Sequence, residues 1–168
     1  MPLEYSPISQ LNSSKKEWKI RVLVLRIWNY FSKYKPDVVL GMEVILVDEK
    51  GDRIQASVKQ RLIKKYKDEL KEGEYLDVMN FEVLGNNGEY RGTTHPYKIN
   101  FIYTTYAKTS EMIPNLSRFN LSPFPDILSL PNVDDAFIDI LGEIVGMGQI
   151  TDRNYAGNLN CWTFNYEI

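Results

Sequence analysis

MEVILVDEKGDRIQASVKQRLIKKYKDEL, residues 42–70, is the stretch whose reading decides the fold. Met42 to Val47 is β-branched and apolar, the composition of a strand. Asp48-Glu49-Lys50-Gly51-Asp52 is a turn cluster with a glycine placed for positive φ. From Arg53 to Lys59 the residues alternate, with Ile54, Ala56 and Val58 on one side and Arg53, Gln55, Ser57 and Lys59 on the other. A strand with a polar, basic outer face suits a polar partner. A helix follows directly, from about Gln60 to Leu70, where Leu62, Ile63, Tyr66 and Leu70 fall at helical spacing among Lys64, Lys65 and Lys67.

Working outward, Trp18 to Trp28 reads as a long strand with apolar residues on both faces, as expected where one strand bends between two sheets. Asn29 to Asp37 reads as a loop with three aromatics and two lysines, and Val38 to Val47 as the second strand. Before them, Met1 to Ser14 is a polar arm that Leu3, Tyr5, Ile8 and Leu11 can anchor. Beyond the helix, Gly73 is placed as its C′ residue. Tyr75 to Leu84 reads as a fourth strand, Gly85-Asn86-Asn87-Gly88 as a turn, and Tyr97 to Tyr103 as a fifth strand. Three strands, a helix and two more strands is the element order of an all-β, five-stranded OB-fold barrel, with the helix between strands three and four plugging its base. A generic small α+β domain is the competing expectation.

Composition narrows the function. The chain has 168 residues, 43% of them hydrophobic, enough for one packed domain. One cysteine (Cys161) and one histidine (His95) leave no disulfide and no Cys- or His-based metal site, so no metal and no cofactor is expected. No secretory leader and no apolar run of membrane-spanning length is found, which predicts no membrane partner. No Gly-rich phosphate loop, no Gly-x-Ser-x-Gly elbow and no Cys-His arrangement is present, so an enzyme is not expected. The net charge of −2 is unevenly spread. Residues 1–110 carry 18 Lys and Arg against 14 acidic residues, and residues 111–168 carry 2 against 8. The basic residues gather at Lys15 to Lys35 and Arg53 to Lys71, flanking the strand-turn-strand-helix unit.

The segment LVDEKGDRIQASVKQRLIKKYKDELKEGEYLDVMNFEV resembles the first DNA-binding barrel of the replication protein A large subunit, the family's 70 kDa DNA-binding subunit, and most closely its plant-type members. The shared features are the Val-Asp-Glu-x-Gly turn, the Arg-Ile-x-Ala strand, the helix ending near Leu70 and the Gly-x-Tyr entry to strand four. The resemblance spans roughly residues 5–110. It resumes at DAFIDILGEIVGMG, residues 135–148, which is similar to the opening strand of the family's second barrel. The chain therefore reads as a member truncated in its second OB domain. Its expected parts are an arm (1–14), a nucleic-acid-binding OB-fold domain (15–110), a Pro-, Ser- and Asn-rich linker (111–134) and a truncated second OB-fold start or tail (135–168).

The resemblance implies sequence-tolerant binding of single-stranded DNA, with RNA also open, in DNA replication, repair or recombination in the nucleus, in company with other replication protein A subunits or protein partners. Single-strand binding needs a basic groove for phosphates and aromatic faces for bases, and replication protein A is itself an example of that principle. Phe31 and Lys35 are the nearest matches to the family's aromatic and basic residues in the first loop, with Lys33 beside them. Gln55, Ser57 and Lys59 lie on strand three's polar face. Tyr90 falls where the family carries a base-stacking Phe, next to Arg91, and Lys98 completes the candidate groove. The family's strand-three stacking Phe is missing, and Val58 or Lys59 stands there. Tyr34, Tyr97, Tyr103 and Tyr106 read as packing or rim residues, and His95 as a surface turn residue. The alternative function is a degenerate OB-fold serving as a protein–protein interaction module.

Overall fold

The computed structural model describes residues 4–87, 91–129, 137–143, 153–154 and 160–161. Seven strands form one curled sheet: β1 (Lys19–Phe31), β2 (Val39–Val47), β3 (Arg53–Lys59), β4 (Tyr75–Met79), β5 (Glu82–Gly85), β6 (Tyr97–Asn100) and β7 (Tyr106–Thr109), in the order β5-β6-β3-β2-β1-β4-β7. The helix α1 (Gln60–Tyr66) lies between β3 and β4, as expected. β1 bends because its first half pairs with β4, Ile20 opposite Val78, and its second half with β2, Ile27 opposite Val44. A register shift between Val24 and Arg26 marks the bend.

The expected fourth strand is divided in two. Asn80 has φ +56°, outside any strand conformation, so the chain turns there, and Phe81 inserts into the core. β4 ahead of this joint pairs with β1, while β5 after it pairs with β6, which runs parallel to β3. The two-residue joint thus links opposite sides of the sheet and curls it around one interior. β7 was not expected from sequence. It pairs antiparallel with β4, Val78 opposite Ala107, and Ala107 is its only buried residue.

Two apolar clusters result. The inner one includes Ile20, Val22, Val24, Val44, Leu46, Ile54, Ala56, Val58, Ile99 and Phe101, with Leu62 and Tyr66 of α1 closing its base. The Tyr66 ring meets Phe101 edge-on at 5.1 Å, and its hydroxyl lies 2.6 Å from the Ile102 carbonyl, so this aromatic's polar end is satisfied. The outer cluster is Leu23, Leu25, Ile45 and Val47, packed against Trp28, Tyr75 and Leu116. Residues of the expected linker therefore cover the back of β1 and β2, and Ile113 beside them is buried. After the short helix α2 (Phe124–Ser129), Asp139 returns to the barrel. Its carboxylate accepts Arg53 Nη1 at 2.7 Å and the Asn120 amide at 2.9 Å. Burial alone would raise the Asp139 carboxyl, but these donors and the Arg53 charge outweigh it and hold it below its ordinary value. The expected second-barrel start lies mostly outside the described residues. Within it, β8 (Arg153–Asn154) and β9 (Asn160–Cys161) form a separate two-stranded pair.

The N-terminal arm is built in. Asp48, 3% exposed, accepts the Lys50 and Asp52 amides at 3.0 Å on Oδ1 and the Ile8 amide at 2.8 Å on Oδ2. One carboxylate thus closes the β2–β3 turn, where Gly51 takes φ +83°, and pins the arm. The Ile8 carbonyl meets His95 Nε2 at 3.1 Å, while Nδ1 accepts the Tyr97 amide at 3.1 Å. His95 is thus a half-buried staple rather than a surface residue. Tyr5 completes the anchor: its hydroxyl donates to Asp77 at 2.6 Å, and Arg21 Nε donates to the same carboxylate at 2.9 Å.

Two outcomes follow for stability. Asp48→Ala strands three backbone donors, one of them buried, and is expected to lower the unfolding free energy by about 2–3 kcal/mol in urea titration. Asp77 is raised by burial but pulled further down by hydrogen bonds from Arg21 and Tyr5 and by the Arg21 charge, to about 2. A depressed carboxyl stabilises the fold above its unfolded value of about 4 and loses that contribution as pH falls towards the folded value. Melting followed from about pH 5 to pH 2 should show a decline that Asp77→Asn reduces, with a loss of about 1 kcal/mol at neutral pH.

Candidate nucleic-acid interface

The outward face of β1, β2 and β3 carries the candidate site. Because strand residues alternate, the outward positions of β3 are Arg53, Gln55, Ser57 and Lys59, opposite Val47, Ile45, Glu43 and Gly41 of β2. On β1, Tyr30 faces Gly41 and Trp28 faces Glu43. A row therefore crosses the sheet from Tyr30 over Gly41 to Lys59, and a second from Trp28 over Glu43 to Ser57. The second continues to Asn100 of β6 and Glu82 of β5, whose side chains are joined at 2.7 Å.

The first row is an aromatic platform with a cation at its end. The Tyr30 ring passes close over Gly41, where a Cβ would stand 2.3 Å from Tyr30 Cε1, so the glycine makes room for the ring. Tyr30 is 39% exposed. Burial, then the nearby Glu43 charge, push its phenol above the ordinary value. Lys59 is exposed and Val58 is buried at 0%. Of the two residues left open in the sequence, Lys59 is therefore the one on the outward face.

The second row is tied together by hydrogen bonds. Gln55 Nε2 and Ser57 Oγ each donate to Glu43 Oε2 at 2.8 Å. The Gly92 amide donates to Gln55 Oε1 at 2.9 Å as the turn after β5 crosses the face. A Cβ on Gly92 would meet Ile45 Cδ1 at 2.6 Å, so the lack of a side chain eases this close approach.

The remaining expected residues take up varied positions. Phe31 is the last residue of β1 rather than a loop residue, and is 51% exposed. Lys33 and Lys35 are exposed in the loop beyond it, held in shape by Ser32 N to Val38 O and Val38 N to Lys35 O, both 2.9 Å. Phe31, Lys33, Lys35 and Lys59 therefore gather at one end of the face. Gln55 and Ser57 sit mid-face but are engaged with Glu43. Arg91 is half-buried, and its carbonyl accepts the Phe137 amide at 3.2 Å. Lys98 is half-buried on β6 opposite Leu84. Tyr90 lies outside the described residues. Sequence reasoning placed Tyr30 in the first loop beside Phe31 without singling it out, and did not consider Glu43. A tyrosine whose cross-strand partner is glycine was the available signal, but it required the strand register.

Other basic residues have structural work. Lys15 stacks on Trp18, Lys19 and Arg21 on Tyr5, and Lys65 on Tyr66 and Tyr103. Tyr34 is 94% exposed and touches little of the core, while Trp18 and Met42 are buried in it. Among the described residues no cluster of three His, Cys, Asp or Glu side chains could hold a metal ion, and no helix is long and apolar enough to cross a membrane.

A family model described as a domain of unknown function, DUF223, matches residues 9–130. No curated protein matches the sequence. Among solved structures, a chain of a replication protein A heterotrimer bound to single-stranded DNA aligns with TM-score 0.56 at 16% identity, over 75% of this chain and 30% of that one. This chain thus spans under a third of that relative. DNA-binding domain A of replication protein A from S. cerevisiae aligns with TM-score 0.48 at 20% identity, over 64% of this chain and 95% of that one. Fission yeast Pot1 with single-stranded DNA aligns with TM-score 0.49 at 10% identity, over 65% and 40%. The heterotrimer match, at TM-score 0.56 and 16% identity, is a likeness of fold alone, and with the curled all-β sheet it supports an OB-fold.

The platform itself is testable. Gly41→Ala should swing the flexible end of Tyr30 away, since the Cβ would clash with the ring and not with backbone. The Tyr30 ring resonances should shift, while the unfolding free energy changes by less than about 1 kcal/mol. Unchanged resonances would show that the ring does not rest on Gly41.

Proposed function

The chain belongs to the DUF223 family, and we propose that the outer face of its barrel binds single-stranded nucleic acid in the manner of replication protein A. The observation that carries this reading is the Tyr30 ring laid across Gly41 beside exposed Lys59, with Phe31, Lys33 and Lys35 at the same end. Stacked rings take any base, and lysines take any phosphate, so the binding is largely sequence-tolerant. Lys98 and Arg91 flank the face further along, and Tyr90, read as a stacking residue from the sequence, belongs to the same proposal.

DNA is the proposed ligand, because the heterotrimer whose fold this chain shares is bound to single-stranded DNA. A role in replication, repair or recombination, a nuclear location, association with other replication protein A subunits and kinship with plant-type large subunits belong to the same proposal. In it the binding unit is residues 15–110, with the segment after it packed on the back.

Affinity for a fluorescent oligo-dT should fall with salt, with a log–log slope of about −0.7 for each phosphate contacted. Tyr30→Ala and Phe31→Ala should each weaken binding by about 1–3 kcal/mol with little change in melting temperature, because both rings are well exposed. Absence of binding at about 50 mM salt would overturn the proposal. It would leave the barrel as a protein-contact module.

A further inference from the structure

We propose that Glu43 gives this face one base-selective position, favouring bases that present amino and imino donors, guanine first. The inference rests on the single-strand reading above and adds a preference at one position. A carboxylate in the middle of a phosphate-binding face opposes its purpose, because like charges repel. Glu43 is nevertheless held firmly there. Gln55 and Ser57 both donate to Oε2. Gln55 is itself locked, since its Oε1 accepts the Gly92 amide and its Nε2 is thereby turned to Glu43. Among the described residues Oε1 of Glu43 accepts no hydrogen bond. One oxygen is thus anchored and the other is left as an acceptor on a half-exposed surface.

The aromatic platform sets what reaches it. Tyr30 rests on Gly41, two residues before Glu43 on the same strand and the same face, and its phenol feels the Glu43 charge. Positions two apart on a strand are about 7 Å apart, the width of a base edge from a ring beneath it. A base stacked on Tyr30 would turn its edge to Oε1, while its phosphates lie towards Lys59 and the Lys33–Lys35 loop. A carboxylate only accepts hydrogen bonds. Guanine offers two adjacent donors, N1–H and the N2 amino group. Cytosine and adenine each offer one amino group beside an acceptor. Thymine offers a single N3–H between two carbonyls that a carboxylate repels.

The test uses the full chain and single strands of about 12 nucleotides: oligo-dT, alternating dT-dG, and the same strand with inosine for guanine, which lacks the N2 amino group. At about 50 mM salt the dT-dG strand should bind roughly tenfold tighter than oligo-dT, with the inosine strand between them. Glu43→Gln should bring dT-dG and oligo-dT to within about twofold, and should bind oligo-dT at least as tightly as the natural protein, because a repelling charge is gone. Equal affinity of the natural protein for all three strands would overturn the base preference and leave the single-strand reading standing. Equal affinity for the guanine and inosine strands would overturn the proposed edge contact. A Glu43→Gln protein that loses both strands in proportion, together with melting temperature, would make Glu43 a structural residue only. Failure of every strand to bind would overturn both readings.

Discussion

The structure depends on the Asp48 carboxylate more than on any other single group. It closes the β2–β3 turn through the Lys50 and Asp52 amides and takes the Ile8 amide with its other oxygen. Ile8 is fully buried, and its carbonyl meets His95. His95 in turn holds the Tyr97 amide at the start of β6. A single residue of the arm thereby joins the hairpin on one side of the sheet to the turn on the other. From that turn Gly92 reaches Gln55, and Gln55 reaches Glu43. The side chains that shape the candidate face are thus continuous, by hydrogen bonds and short backbone steps, with those that curl the sheet.

Charge on this protein is divided by position rather than by total. The net charge of −2 suggests no affinity for a polyanion. Yet the cations differ in what they touch. Arg21 is fixed by Asp77, Arg53 by Asp139, and Lys65 by the Tyr103 carbonyl and two rings. Lys33, Lys35 and Lys59 stand exposed around Tyr30 and Phe31. The Arg21–Asp77–Tyr5 group lies where β1 pairs with β4, away from these lysines, and serves the arm. The second set is exposed beside those rings, while Arg21 and Arg53 are partly buried in their ion pairs.

Much of this was legible in the sequence where local chemistry and periodicity agreed. The Asp48–Asp52 turn, the alternation of Arg53 to Lys59 and the helix after it follow from side-chain period and from Gly51's positive φ. Three features were not legible. Asn80 lies in a run that otherwise reads as one strand, and its left-handed conformation is imposed by the need to bring Phe81 into the core. Tyr106–Thr109 is a short edge strand with one buried residue, too few to show a period. Asn29-Tyr30-Phe31 looks like loop because both rings are exposed at the end of the strand, where the pairing register shifts. Glu43 as a site residue was hidden for a related reason. Within an apolar strand one acid reads as an outward position, and its role appears only when Ser57, Gln55 and Gly92 are brought to it.

The proposed ligand face is the one bearing Tyr30, Glu43 and Lys59. Backbone amide chemical-shift mapping with a short oligo-dT tests it most directly. Perturbations are expected to concentrate at residues 29–43, 55–60 and 91–94, with Arg21, Asp77 and the β4–β7 pair unaffected. Perturbations centred on β4 and β7, with residues 29–43 silent, would contradict it.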